Sequence, residues 1–350
     1  MKNKKEGRTT VYNEITSAEK LKSVNPDNIQ LEEDFLEYLT SIDRAKSTIK
    51  QYKANLHVFW CWNLEYNKNI FFVDLTKRQI AKFQSHALNE WNWSPRRIRT
   101  VKATISSLSN YIETILDDEY EGYKPIVRKI ESPADEAIRE KSVFDNEDIQ
   151  PLLDELVEKQ QYMKACFLAL ALYSGRRKAE LTRFKVSYFQ DENLICGGAL
   201  YKTPEKMVTK GRGQRGKLLD VYVLAKQFKP YLDFWIKKRN ELGITSDWLF
   251  PKFKDGEWID EHIEISMIDS WSRTFSNMLG RPFYPHALRH AFCTNLLEQN
   301  LPESVVQTII GWSSSDMVRL YDDRTADSQL EKFFGAEGIK DIKKTELNDL

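Results

Sequence analysis

The sequence predicts a mainly α protein of two domains: a helical bundle, then a mostly helical domain carrying a small antiparallel β-sheet. Three observations predict it. The 350 residues exceed one ordinary core. Apolar residues recur at helical spacing over 31–115 and again from about Ser266 onward. Between Phe189 and Leu224 the period shortens and glycines cluster, which marks short strands joined by turns.

In chain order, residues 1–27 form a polar N-terminal extension with room for one short helical turn. It is basic over Met1 to Thr10, and no apolar stretch follows as a secretory signal would require. Residues 28–120 form the bundle, of about four helices. Phe35, Leu36 and Leu39 share a face, as do Ile49, Tyr52, Leu56 and Phe59, and Val101, Ile105, Leu108 and Ile112. Pro95 after Ser94 suits the first turn of a helix. The acidic run Asp117–Glu121, then Pro125 and Pro133 in a weakly periodic stretch, place a linker at 121–141.

The second domain spans 142–335, with a polar tail at 336–350. Asp145 followed by Asp148 caps a helix that buries Ile149, Leu152, Leu153 and Leu156. Ala165–Tyr173 is nearly all apolar and predicts a helix buried on most sides. Leu194–Lys202, Lys206–Thr209 and Leu218–Leu224 read as strands joined around Gly211-Arg212-Gly213. Ala326, Leu330, Phe333 and Phe334 make a small apolar stripe, either folded onto its own domain or offered to another copy.

Bulk properties narrow the function. At 41% hydrophobic and 12% aromatic, the chain fills real cores, so overall disorder is excluded. Lys plus Arg and Asp plus Glu both total 52, so any affinity for nucleic acid must come from local patches. Cys61, Cys166, Cys196 and Cys293 lie far apart without a CxxC pair, which fits a reducing cytosol and neither a zinc knuckle nor a disulfide framework. No apolar run approaches the roughly 18–20 residues of a membrane helix. A cytoplasmic protein without membrane contact is expected.

Four segments of the second domain hold the informative residues. They are Ser174-Gly175-Arg176-Arg177-Lys178-Ala179-Glu180-Leu181, Thr209-Lys210-Gly211, His286-Ala287-Leu288-Arg289-His290, and Gly311-Trp312 with Tyr321 nine residues after the tryptophan. Taken singly, each has a bland reading: a surface arginine, a core tyrosine, or a histidine pair four apart that could bind metal but has no third ligand.

As an ordered set they resemble the catalytic signature of the tyrosine recombinases, the phage-integrase family. The resemblance covers residues 142–335, and the bundle before it resembles that family's core-binding, SAM-like domain. It implies that Arg177 and Arg289 hold a scissile phosphate, where planar guanidinium groups bind two oxygens each. His286 becomes a further donor or proton-transfer group, Trp312 offers its indole N–H, and Tyr321 is the nucleophile. Lys210, with Lys206 and Lys202 as rivals, protonates the departing 5′ oxygen. Glu180 and His290 support, orienting their neighbours. No metal or other cofactor is implied, since arginines supply the electrostatic stabilisation. One departure is Arg176, where relatives usually carry an apolar residue.

The implied partner is double-stranded DNA. Lys46, Lys50 and Lys53 along one helix, and Arg96, Arg97, Arg99 and Lys102 along another, are candidate phosphate contacts, although such runs are commonly just solvated faces. Arg212 and Arg215 join them from the hairpin segment Lys202–Lys217, which has six basic residues and one acid. The resemblance further implies a homotetramer on DNA, coupled through a C-terminal helix that carries the apolar stripe, and aided by accessory DNA-bending proteins. Rival readings are a recombinase-fold transcriptional repressor that has lost strand exchange, and a type IB topoisomerase.

Overall fold

The computed structural model describes residues 14–134, 144–209 and 216–322, and the backbone of 334–335 and 338–339. The described residues divide into two compact units, 14–134 with Gly216, and 144–209 with 217–322, mostly helical with small antiparallel sheets.

The first unit contains α1 (Ala18–Ser23), α2 (Pro26–Ser41), α3 (Lys46–Tyr66), α4 (Lys77–Asn89) and α5 (Pro95–Ile115). Side chains at the predicted spacing close its core: Phe35, Leu56, Phe59, Ile105, Leu108 and Ile112 are at most 1% exposed. Phe83 meets Phe59 edge-on, with ring centroids 5.1 Å apart. Local chemistry sets the helix starts. Pro95 opens α5, and Ser94 before it accepts a hydrogen bond from the Arg97 amide.

Three features depart from expectation. Ordered packing begins before residue 28, since Ile15 and Val24 are buried in this core. The stretch read as linker also contributes to it through buried Ile126 and Val127. Lys102 is the third, and its expected role as a surface phosphate contact is corrected here. Only 4% exposed, it buries its ammonium among Gln84 Oε1 (2.6 Å) and Ile130 O, Glu131 O and Ser132 Oγ (3.0–3.1 Å). Arg99 Nη2 donates to Pro133 O nearby, at 2.8 Å. Together they pin the chain leaving the bundle to α5.

The second unit contains α6 (Asn146–Glu158), α7 (Tyr162–Ser174), α8 (Lys178–Leu181), α9 (Ala225–Glu241), α10 (Ile265–Leu279), α11 (Pro285–Glu298), α12 (Glu303–Ile310) and α13 (Asp316–Tyr321). Asp145 caps α6 as expected, accepting from the Asp148 amide at 2.8 Å. Every residue of α7 from Ala165 to Ser174 is buried, so this helix is the axis on which the others pack.

The sheet is more divided than the sequence suggests. β1 (Leu194–Ile195) and β2 (Leu200–Lys202) are separated by a turn at Cys196 and Gly197, both at positive φ. β3 (Met207–Thr209) pairs with β4 (Lys217–Leu219), whereas β5 (Tyr222–Leu224) pairs with β2. A further hairpin, β6 (Pro251–Lys254) with β7 (Glu257–His262), turns at Asp255-Gly256, a dipeptide that signals such a turn. Phe334 lies in a two-residue strand paired with 338–339. It is therefore not helical, and the rest of the apolar stripe lies outside the described residues.

Candidate active site

Among the helices that end at glycines, α7 and α12 stop where the site is built. α7 terminates at Gly175 with φ +59°, the left-handed conformation that favours glycine. A Cβ there would sit 2.5 Å from the Phe292 ring, so the turn cannot take a side chain without displacing that ring. α12 terminates at Gly311 with φ +76°, where a Cβ would lie 2.7 Å from Leu219 of β4. The first stop releases Arg176 and Arg177, and the second releases Trp312.

α11 supplies the third wall. His286, Arg289 and His290 are spaced i, i+3 and i+4, so the three project from one face. Tyr321, the last residue of α13, lies against them. Its hydroxyl is 2.8 Å from His286 Nε2. Its ring stacks on His290 with centroids 4.2 Å apart and lies 4.8 Å from Trp312. Tyr321 is buried while His286 is exposed, so the phenol is held by packing and the imidazole faces solvent. α13 itself is tied to α11 by Thr294 Oγ1, which donates to Tyr321 O at 3.4 Å.

The electrostatics are lopsided. Arg289 is fully buried, with its guanidinium carbon 5.1 Å from the Trp312 ring centroid. Nη1 donates to Gly175 O at 2.6 Å and Nη2 to Ile310 O at 3.4 Å. Its Nε and the Trp312 Nε1 are buried donors without a hydrogen-bond partner in this structure. Burial, then the Arg177 and Arg176 charges, push the Arg289 guanidinium down to about 9. Arg177 caps α8 and pairs with Glu180, Nη1 to Oε1 3.0 Å. Burial alone would raise the Glu180 carboxyl, but Arg176, Arg177 and Arg289 outweigh it and hold it below the usual carboxylate range. Three guanidinium groups thus act on the Glu180 carboxylate. Unpaired buried donors in a cationic setting are what an anion binds.

Arg177, Glu180, His286, Arg289, His290, Trp312 and Tyr321 are therefore brought together in one unit. Lys210, Arg212 and Arg215 lie outside the described residues. The described hairpin ends at Thr209, whose Oγ1 donates to Lys217 O at 2.9 Å, and β4 reaches the site through Leu219 beside Gly311. Sequence reasoning gave Arg176 no role in the site. It is 1% exposed and bonds Ser174 O and Ile309 O. Its partner 133 residues away leaves no local signal.

In the first unit, Lys46, Lys50 and Lys53 are exposed along α3, and Arg96 is exposed at the start of α5. Arg97 is half-buried, bonding Asn55 Oδ1 at 2.9 Å with its guanidinium over Trp93. Among the described residues no group of three or more His, Cys, Asp or Glu is arranged to hold a metal ion.

The model of the phage integrase family matches residues 142–327, and that of the phage integrase N-terminal SAM-like domain matches residues 31–122. The SPbeta prophage-derived recombinase-like protein YomM of Bacillus subtilis (strain 168) is 29% identical over 283 residues, covering 79% of this chain and 80% of that protein. The tyrosine recombinase XerD of Staphylococcus haemolyticus is 26% identical over 302 residues, covering 83% and 92%. In fold, the chain is similar to the XerH site-specific recombinase in a post-cleavage complex with its palindromic difH substrate. The TM-score is 0.60 at 16% identity, with 87% of this chain and 83% of that one covered.

Proposed function

The chain belongs to the phage integrase family, and on that footing we propose that it cuts and rejoins duplex DNA at a defined site through a 3′-phosphotyrosine on Tyr321. The observation that carries this reading is the phenol of Tyr321 held 2.8 Å from His286 Nε2, beside the buried donors of Arg289 and Trp312.

The chemistry follows from those groups. Tyr321 Oη attacks phosphorus as its proton passes to His286, and a new O–P bond forms while the P–O5′ bond breaks. Charge building on the non-bridging oxygens is met by Arg177, Arg289 and the Trp312 N–H. His286 is placed to take the phenol's proton as the new O–P bond forms, and the guanidinium groups face the charge that builds there. The departing 5′ oxygen takes a proton, a role we give to Lys210. The phosphotyrosyl ester conserves the energy of the broken bond, so attack by a second 5′ hydroxyl reseals the strand without ATP. Glu180 orients Arg177, and His290 supports the tyrosine ring.

Double-stranded DNA is the partner, and exposed Lys46, Lys50, Lys53 and Arg96, with Arg97, Arg212 and Arg215, contact its phosphates. Four copies act on two sites, with bending proteins assisting, in the cytoplasm of a prokaryotic cell where the chromosome lies. Among the described residues no helix is long and apolar enough to cross a membrane.

A nicked or suicide DNA substrate tests the reading. Wild type should accumulate a covalent protein–DNA adduct, and Tyr321→Phe should bind equally well and form none. Binding without an adduct in wild type would favour the repressor. Adducts on any sequence, with supercoil relaxation, would favour the topoisomerase.

A further inference from the structure

A buried arginine needs acceptors, and Arg176 finds them on the C-terminal ends of two helices. Its Nε donates to Ser174 O at 3.2 Å, at the end of α7, and its Nη2 donates to Ile309 O, at the end of α12. Arg289 makes a similar bridge one residue further along at each helix end, to Gly175 O and Ile310 O. These carbonyls lack partners within their own helices and mark the negative poles of the helix dipoles. Two guanidinium bridges therefore join one pair of helix ends, with the Glu180 carboxylate acting on both.

The two bridges are not equivalent. The Arg289 bond to Ile310 is long at 3.4 Å, and its Nε is uncommitted. Arg176 touches no face of the phenol and lies 3.5 Å from the place a Gly311 Cβ would take, behind the turn that delivers Trp312. An apolar side chain at 176 would leave Ser174 O and Ile309 O to Arg289 or to no donor at all.

We propose that Arg176 is a positioning residue, which ties the end of α12 to the arginine turn so that Arg289 is left free to bind the scissile phosphate and Trp312 is held in line with Tyr321. This rests on the reaction proposed above. The misplacement expected without the tie is small, and a shift of about 1 Å in such a site costs on the order of 10²-fold in rate.

The test is single-turnover formation of the covalent adduct at saturating suicide substrate, read as a rate constant and a final amplitude, beside DNA affinity and thermal melting. Arg176→Met should lower the rate constant about 10- to 100-fold, with affinity within about threefold and the amplitude retained. Arg176→Lys keeps the charge and can reach one carbonyl, so its rate constant should fall between. A merely structural role would lower the amplitude, as fewer molecules fold, and leave the rate constant of the remainder untouched. That result would overturn the inference. Should the methionine variant not fold, the lysine variant decides, and a wild-type rate constant there overturns it equally. Absence of any adduct from wild type would overturn the proposed function and this inference with it. A normal wild-type adduct with an unchanged Arg176→Met rate constant removes only the inference.

Discussion

Lys102 in the first unit and Arg289 in the second are both cations taken out of water, 4% and 0% exposed, and their surroundings treat them in opposite ways. Four uncharged oxygens enclose the Lys102 ammonium. Burial and the neighbouring Arg99 push it below the usual lysine range, yet its hydrogen-bonding capacity is used. Arg289 has two carbonyls, an idle Nε, and two further guanidinium groups beside it. A buried cation with its donors filled is a latch between segments. One with donors spare and like charges around it is built for an anion that arrives later.

The largest expected effect separates these two roles at once. Arg289→Lys keeps the charge but loses the planar fork, and adduct formation should fall by about 10²–10³-fold. Single-turnover kinetics check this, and a loss below tenfold would deny Arg289 its place on the phosphate. Lys102→Met should act on stability instead. It strands buried acceptors, at about 1–3 kcal/mol, read as a lower melting temperature or denaturant midpoint. Cleavage per folded molecule and the salt dependence of DNA binding should not change. Lys50→Gln on exposed α3 should do the reverse, leaving melting alone and reducing the slope of log K against log salt by about 1. A Lys102→Met variant with that reduced slope would return the residue to the DNA-contacting face.

The smallest effect concerns Glu180, whose carboxylate feels all three guanidinium groups. Its folded pKa is depressed. Its ionised form therefore adds stability that is complete above the unfolded carboxylate value of about 4.3 and is lost as pH falls through the lower folded value. Glu180→Gln should remove that component, so the variant should lose less stability than wild type between pH 5 and the acid limit. Unfolding free energies measured across that range check it, and parallel curves would contradict the assignment.

Much of this site was legible because its signals are local. His286, Arg289 and His290 lie four residues apart at most in one motif, and Gly175 and Gly311 stand inside the segments singled out, though their role as helix stops emerged only in the structure. The buried α7 and the Asp145 cap likewise follow from short stretches of chain. What escaped notice has distant causes. Lys102 belongs to a basic run without acids, the usual signature of a solvated face, and three of its four acceptors lie 28–30 residues later, in a stretch whose prolines suggested a linker. Arg176 breaks an apolar pattern for the sake of Ile309 O, 133 positions on. The β6/β7 hairpin is different in kind, because its Asp-Gly turn is a local signal that went unread between two stretches of helical text.

The phenol, the imidazole that touches it and the guanidinium behind it all come from one polypeptide. On the reaction proposed above, such an arrangement leaves no route to genetic complementation: in a cell carrying two mutant alleles, one without the tyrosine and one without Arg289, recombination should stay absent.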